Sequence, residues 1–158
     1  MLKFKCCRGG HCCTRQLSMT DGKEHGIYLT PEEAKYFPPE TVFPLFRSGA
    51  EVFAYQLGVH ECPNLVRENG HMACKIYEHR PLICKSFPLG QADNGDLIVL
   101  ADRCESCSKA TRGSPSEEWD MTSFADCFAA MREQIDQANR TPQATEMFVL
   151  NGKTWRAL

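Results

Sequence analysis

The sequence predicts an α+β fold in which a small antiparallel sheet and cysteine-rich loops pack against a C-terminal amphipathic helix. Three observations predict it. Short segments in the middle of the chain alternate apolar and polar residues, as half-buried strands do, and Asn-Gly turn signals lie beside them. Ten cysteines occur, most of them in tight groups. One long C-terminal segment repeats apolar residues every three or four positions, which is the period of an amphipathic helix.

Length and charge favour one globular domain. At 158 residues the chain is long enough to bury its own core. We expect a single domain over residues 1–158, with a cysteine-cluster region over 1–110 and a helical and hairpin extension over 111–158. A net charge of −2 argues against a nucleic-acid partner, which would require a basic face. The chain lacks a run of about 18 apolar residues, so we expect no membrane partner.

The N-terminus predicts a cytoplasmic location. It reaches lysine and cysteine at once and lacks the apolar centre of a signal peptide. Because disulfides are uncommon in a reducing compartment, clustered cysteines there indicate metal binding or thiol chemistry rather than a disulfide framework.

A short helix is predicted over Pro31–Phe37, after a strand end at Ile27–Leu29. Thr30 is a good N-cap and Glu33 completes a capping box. The helix must stop before Pro38, because a residue that precedes proline disfavours the helical conformation. Acids in a first turn favour the helix dipole, so a structural role is preferred for them over a catalytic one.

Three strands are predicted in the middle of the chain, at Glu51–Leu57, Met72–Tyr77 and Leu97–Leu100. Residues 40–50, which contain Pro44, are predicted to be an irregular connection before them. The turns expected to form hairpins here are Asn69-Gly70 and Asn94-Gly95. We expect these strands to form one small sheet with cysteines at the strand ends.

The C-terminal region is predicted to hold a long helix from Met121 to Ala138 and a hairpin over Glu146–Leu158. The expected buried stripe of the helix comprises Phe124, Cys127, Phe128, Met131 and Ile135. Because Cys127 falls on this stripe, it is interpreted as a buried apolar residue and not as a ligand. Another helix start is predicted at Ser114.

The other nine cysteines are the candidate metal ligands. They are Cys6, Cys7, Cys12, Cys13, Cys62, Cys74, Cys84, Cys104 and Cys107. A zinc ion takes four ligands at tetrahedral corners, and an iron–sulfur cluster usually takes four thiolates. The Cys104–Cys107 spacing lets one turn present two sulfurs. The neighbours Cys12 and Cys13 point in different directions in most backbones, so they serve two metals or one of them packs in the core.

Zinc is the first expected cofactor, and iron or an iron–sulfur cluster is the second. Four histidines close to these cysteines are alternative ligands, although a surface role is more common for such residues: His11, His60, His71 and His79. Arg80 either holds the local turn or compensates thiolate charge. Sequence motifs of serine hydrolases, zinc proteases and phosphate-binding loops are absent from the chain.

The cysteines and the residues around them form a longer pattern. Its parts are Phe4, Cys6, Cys12 and Cys13; Leu29-Thr30-Pro31-Glu32-Glu33; Cys62-Pro63-Asn64-Leu65; Cys74 through Cys84 with Phe87-Pro88; and Cys104. Over roughly residues 4–107 this pattern resembles the YkgJ-type cysteine-cluster family, whose members are described as zinc- or iron-chelating domains. The resemblance implies metal chelation. Cysteine clusters of this kind also occur in a flagellin lysine methylase, so an enzymatic role is an alternative.

One position departs from that family's pattern. The second cysteine of its opening F-x-C-x-x-C-x-x-C-C signature falls on Gly9. Cys7 is the first candidate substitute and His11 the second. If neither substitutes, one metal has three protein ligands and an open position for water, as catalytic zinc sites do.

These observations predict a protein that chelates zinc or iron through clustered thiolates, with a structural or accessory role. The rival hypothesis is an iron–sulfur or open-site metalloenzyme for redox or protein-modification chemistry. A third is a metallochaperone or thiol sensor. A protein partner is compatible with each of them, and the sequence does not identify one.

Overall fold

The structure is a computed structural model that describes residues 1–92 and 94–158. In chain order its strands are β1 (Leu17–Thr20), β2 (Lys23–Gly26), β3 (Tyr28–Leu29), β4 (Val42–Ser48), β5 (Glu51–Leu57), β6 (Leu65–Glu68), β7 (His71–Cys74), β8 (Leu89–Gln91), β9 (Leu97–Val99), β10 (Glu146–Val149) and β11 (Thr154–Ala157). Its α-helices are α1 (Pro31–Ala34), α2 (Leu82–Ser86), α3 (Glu105–Gly113) and α4 (Ala125–Arg140). The paired strands run antiparallel, and the predicted α+β class with a C-terminal helix is confirmed.

The largest sheet has the strand order β11-β10-β4-β5-β3. Strand β5 covers the residues predicted for it, but the prediction that residues 40–50 are irregular is wrong, because most of them form β4. Pro44 is tolerated there because β10 pairs with β4 only at Phe46 and Arg47. Beyond that point the buried Gln56 side chain donates to the carbonyls of Pro44 (2.8 Å) and Phe148 (2.9 Å). The Gln56 side-chain amide therefore satisfies backbone carbonyls where β4 and β10 are not paired with each other.

The predicted sheet of Glu51–Leu57, Met72–Tyr77 and Leu97–Leu100 does not form, because β5 pairs with β4 and β3 instead. The segments after residues 71 and 96 form separate hairpins, β6–β7 and β8–β9, whose Asn-Gly turns are confirmed. The predicted C-terminal hairpin β10–β11 is also confirmed, and it joins the sheet beside β4. Arg47 fastens it there, since its guanidinium donates to both carboxylate oxygens of Glu146 (2.7 and 3.0 Å) and lies 4.2 Å from the Trp155 ring centre.

Helix α4 packs on α2 and β8 and closes a second core around Phe124. Cys127 lies on the buried face, as predicted. Ile135 is 54% exposed, so its predicted place on that face is wrong. The buried face instead continues to Gln134, whose amide donates to the Ser86 hydroxyl at 3.1 Å. In the described chain we find no helix that combines the length and apolar character needed to cross a membrane.

Helix α3 precedes α4 and was not predicted. The expected helix start at Ser114 is wrong, because α3 ends at Gly113 and the next helical turn begins after Asp120. Asp120 caps that turn by accepting from the Thr122 amide at 3.1 Å. Its one acid, one lysine and one arginine are mixed with two serines and a threonine, so the segment has a weak helical pattern.

The capping box before α1 is confirmed, since Thr30 accepts from the Glu33 amide and the Glu33 carboxylate accepts from the Thr30 amide. The helix ends at Ala34, earlier than predicted, and the chain continues in tighter turns toward the prolines. The second oxygen of the Glu33 carboxylate accepts from the Leu82 amide at 2.8 Å. Glu33 therefore holds α1 and the start of α2 together.

The N-terminal segment lies on the C-terminal part of the chain. Leu2 forms a parallel bridge with Trp119, and the Phe4 ring stacks on Phe124 with centres 4.7 Å apart. The Cys7 amide donates to the Ser106 hydroxyl at 2.7 Å. These contacts carry the first cysteines to the N-terminal turn of α3.

Candidate metal centre

A cavity of about 590 Å³ lies among the N-terminal loop, the segment before β6, the end of β7 and the start of α2. Six of the nine candidate cysteines line it: Cys6, Cys12, Cys13, Cys62, Cys74 and Cys84. All ten cysteines of the described chain are free thiols. The fold therefore gathers soft sulfur donors from four separate parts of the sequence.

The first thiol group consists of Cys12, Cys13 and Cys62. A helical turn that begins after Gly10 (φ 70°) presents the first two, and the Cys62 amide donates to the Cys13 carbonyl at 2.7 Å. Gly10 suits this position because its φ falls in the left-handed region. The single proton of the Cys13 thiol can be shared with the sulfur of Cys12 or with that of Cys62, but not with both at once. Backbone pairing between distant segments thus brings three sulfurs together.

These hydrogen bonds divide the protons unequally within the first thiol group. A hydrogen bond from Cys13 lowers the pKa of Cys12 to about 7 and that of Cys62 to about 7. The same two bonds raise the pKa of Cys13, which keeps its proton. A thiolate is the form that binds metal, and the one Cys13 proton stabilises one of the two neighbouring thiolates at a time near neutral pH.

Cys74 and Cys84 lie beside the first thiol group. Cys74 is the last residue of β7, and Cys84 lies in α2. Burial raises the pKa of both thiols, and the charges of Cys12 and Cys62 raise it further. Both cysteines are therefore within electrostatic range of the first thiol group, and a cation between them would favour their deprotonation.

The second thiol group consists of Cys104 and Cys107 at the start of α3. A hydrogen bond from Cys107, helped by backbone amides of the first turn, lowers the pKa of Cys104 to about 6. The Cys107 side chain is fully buried, and Cys6 and Cys127 lie within electrostatic range of it. Burial is the main reason that the pKa of Cys127 rises to about 11, and its thiol donates to the Phe87 carbonyl at 3.5 Å.

The structure does not place Cys7 or most of the candidate histidines in the cavity. Cys7 is exposed and lies outside the lining. His60 lines the cavity, whereas His11 and His71 are exposed and outside it. The His79 ring stacks on Tyr36, with the ring centres 4.8 Å apart.

Positive charge surrounds the thiols. Arg80 donates to the Tyr77 carbonyl at 2.9 Å and lies 3.8 Å from the Tyr77 ring centre, and its charge helps to lower the pKa of Cys12. It therefore both holds the turn and compensates thiolate charge, the two roles that the sequence left open. Three further arginines line the cavity and were not predicted to do so: Arg8, Arg15 and Arg103.

The donor set fits zinc or iron. Clustered thiols are ligands of choice for both metals, and cationic neighbours offset the negative charge that such a site acquires. A Zn–S distance of about 2.3 Å places tetrahedral sulfurs roughly 3.8 Å apart, close to the separation of hydrogen-bonded thiols. Within residues 1–92 and 94–158, however, no three Cys, His, Asp or Glu side chains already have the arrangement of a metal site. Metal binding therefore requires the side chains of the first thiol group to move.

Comparison with known proteins identifies the family. A family model named CxxCxxCC, "Putative zinc- or iron-chelating domain", matches residues 5–105 and thus most of the chain. The match includes every candidate cysteine except Cys107. No curated protein and no solved structure matches the chain. The chain therefore belongs to the CxxCxxCC family, whose domain is described as zinc- or iron-chelating.

Proposed function

We propose that this protein binds zinc through the thiolates of the cysteine-lined cavity and that the metal has a structural or accessory role. The observation that carries the proposal is the convergence of free thiols from segments far apart in sequence. The Cys62 amide donates to the Cys13 carbonyl at 2.7 Å, and Cys12 lines the same cavity as both of them. A zinc ion held there would cross-link these segments, which is how structural zinc stabilises small domains.

The arrangement of the thiols favours two ions. The first thiol group, with Cys74 or Cys84, supplies four sulfurs for one of them. The second thiol group and Cys6 supply three sulfurs for the other. We prefer zinc to iron because closed four-thiolate sites with a structural role are typical of zinc.

Removal of one thiol from the first thiol group tests the proposal. Cys62→Ser should lower zinc affinity by at least about tenfold, because serine replaces a thiolate that the ion requires. Cys127→Ser is the matched control, since Cys127 hydrogen-bonds a carbonyl and is not assigned to a site. The measurement is zinc competition with a chromophoric chelator under reducing conditions. Equal affinity of wild type and the Cys62→Ser variant would contradict the proposed site.

A second candidate function is an open-site metalloenzyme, and the shape of the cavity favours it. A volume of about 590 Å³ is typical of ligand pockets and exceeds the room that a structural ion needs. Gln16 lines this cavity, and its buried Oε1 has no hydrogen-bond partner within the described residues. It is an acceptor available to a bound molecule. Iron with visible absorbance in the purified protein would favour this function, whereas zinc held by four protein ligands with no bound water would favour the structural one.

A further inference from the structure

The cysteine-lined cavity carries positive charge that no acidic side chain around it balances. Four arginines line it: Arg8, Arg15, Arg80 and Arg103. Within residues 1–92 and 94–158, no Asp or Glu lines the cavity, and no ion pair involves any of these arginines. A cleft lined by one sign of charge concentrates the field and attracts ions of the opposite sign. The cavity therefore favours a negatively charged ligand.

The proposed metal ions do not use up this positive charge. A Zn²⁺ ion with four thiolates carries two net negative charges, and one with three thiolates carries a single net negative charge. Each guanidinium group stays protonated in a protein, so the four arginines contribute more charge than the two centres together. A positive excess remains even when both proposed ions are bound.

Tyr77 holds two of these arginines close together. The Cζ atom of Arg8 lies 4.1 Å from the centre of the Tyr77 ring, and that of Arg80 lies 3.8 Å from it. The two Cζ atoms are therefore within about 8 Å of each other, because each lies about 4 Å from the same point. Cation–π contacts position both groups without a carboxylate, which leaves guanidinium N–H donors for an oxyanion.

We propose that the cavity binds a small organic anion, with its carboxylate, sulfonate or phosphate at the arginines and its apolar body inside. Leu65, Ile76 and Phe87 contribute apolar wall, and a volume of about 590 Å³ admits a whole small molecule. This inference rests on the second candidate function, because it gives the class of molecule that the open cavity would take. Charge compensation of thiolates alone is the competing explanation for the arginines.

Two fluorescent probes that differ in one group test the proposal on the full chain, as purified, under reducing conditions. 8-Anilinonaphthalene-1-sulfonate has a sulfonate on an apolar body, whereas N-phenyl-1-naphthylamine has the same rings without the charge. The double variant Arg8→Gln/Arg15→Gln should weaken binding of the sulfonate probe by at least about tenfold, because two attractive charges are lost. Its binding of the neutral probe should change by less than about twofold.

A matched variant controls for the net charge of the protein. Arg132→Gln/Arg140→Gln removes the same two charges from α4, on a surface that also holds Glu133 and Asp136 and lies outside the cavity. It should change binding of either probe by less than about twofold, since distant exposed charges are screened by salt. The conservative variant Arg8→Lys/Arg15→Lys keeps the charge and should bind the sulfonate probe within about threefold of wild type.

The outcomes separate this inference from metal binding. Unchanged binding of the sulfonate probe by the Arg8→Gln/Arg15→Gln variant, or equal weakening of both probes, would overturn the inference. Displacement of the sulfonate probe by an equal concentration of inorganic phosphate would show that charge alone is recognised and would overturn the organic ligand. Zinc competition on the same samples tests the proposed function separately. Zinc binding without sulfonate binding would overturn the inference alone, whereas arginine-dependent sulfonate binding by a chain that binds no zinc would overturn the proposed function alone.

Discussion

The five-stranded sheet and the cysteine-lined cavity are stabilised in different ways. In the sheet, the side chains of Leu29, Ala54 and Leu57 are fully buried, and strand hydrogen bonds connect the backbone. Even its buried polar residue, Gln56, is satisfied by one accepted and two donated hydrogen bonds. Apolar burial and complete hydrogen bonding are sufficient to hold such a structure together.

Around the cavity, loops and short turns take the place of a sheet. The turn of residues 11–14 has no fully buried residue, and Cys12 is exposed. Cys13 and Cys62 pack against Leu29 and Leu57 at the border of the sheet, and the other thiols line an open space. Under the proposed function, metal coordination would supply to the loops around the cavity what apolar packing supplies to the sheet.

The largest effect is expected from metal removal, which should raise amide exchange in the cavity loops but not in the sheet. Chelation under reducing conditions should raise amide exchange in residues 10–16 and 60–64, because their mutual contacts depend on the ion. Strands β4, β5 and β10 should stay protected, since their hydrogen bonds do not involve the cysteines. Hydrogen exchange followed by mass spectrometry measures both. Equal exchange before and after complete chelation would show that the loops need no metal.

Gln56→Leu should weaken the sheet and leave the cavity unchanged. The substitution leaves the Gly26 amide and the carbonyls of Pro44 and Phe148 without partners. We expect the free energy of unfolding to fall by about 3 kcal/mol, since unsatisfied buried groups cost about 1–3 kcal/mol each. Denaturant unfolding measures the change. Zinc affinity should stay as in wild type.

Gln91→Leu is the matched control for that substitution. Gln91 lies on β8, and its exposed amide makes a single hydrogen bond to the Gly95 carbonyl. Its replacement should change stability by less than about 0.5 kcal/mol. Similar losses in the two variants would mean that burial of Gln56 has no special role in the sheet.

The smallest effect is expected on acidification, at the Arg47–Glu146 ion pair between β4 and β10. Hydrogen bonds from Arg47 hold the pKa of the Glu146 carboxyl below its usual value of 4.5. A lowered folded-state pKa adds stability that is present above the unfolded pKa and lost as the pH falls through the folded pKa. Wild type should therefore lose this increment as the pH drops below about 4.5, and the Glu146→Gln variant should not. Melting temperatures from pH 7 to 3 test this, and parallel curves for the two proteins would contradict it.

Local elements of the fold could be predicted from the sequence, and long-range pairings could not. The Thr30–Glu33 capping box, the Asn-Gly hairpins and strand β5 each depend on a few neighbouring residues. Strand β4 was missed because Pro44 has the signature of a break, and its compensation comes from Gln56 on the neighbouring strand. A hydrogen bond of that kind has no local sequence signal.

The same division between local features, which the sequence predicts, and long-range contacts, which it does not, applies to the candidate site. Clustered cysteines indicated metal chelation from the sequence, and the family match supports it. The partners of Cys62 within the cluster became evident only when the fold placed it beside Cys13.

The metal content of the native protein tests the central claim most directly. Protein purified anaerobically without added metal should contain about two zinc ions per chain and no visible absorbance, as expected for four-coordinate zinc. Elemental analysis and an absorption spectrum of one sample give both values. A folded, metal-free chain that binds no zinc on titration would contradict the claim that these thiolates form a metal centre.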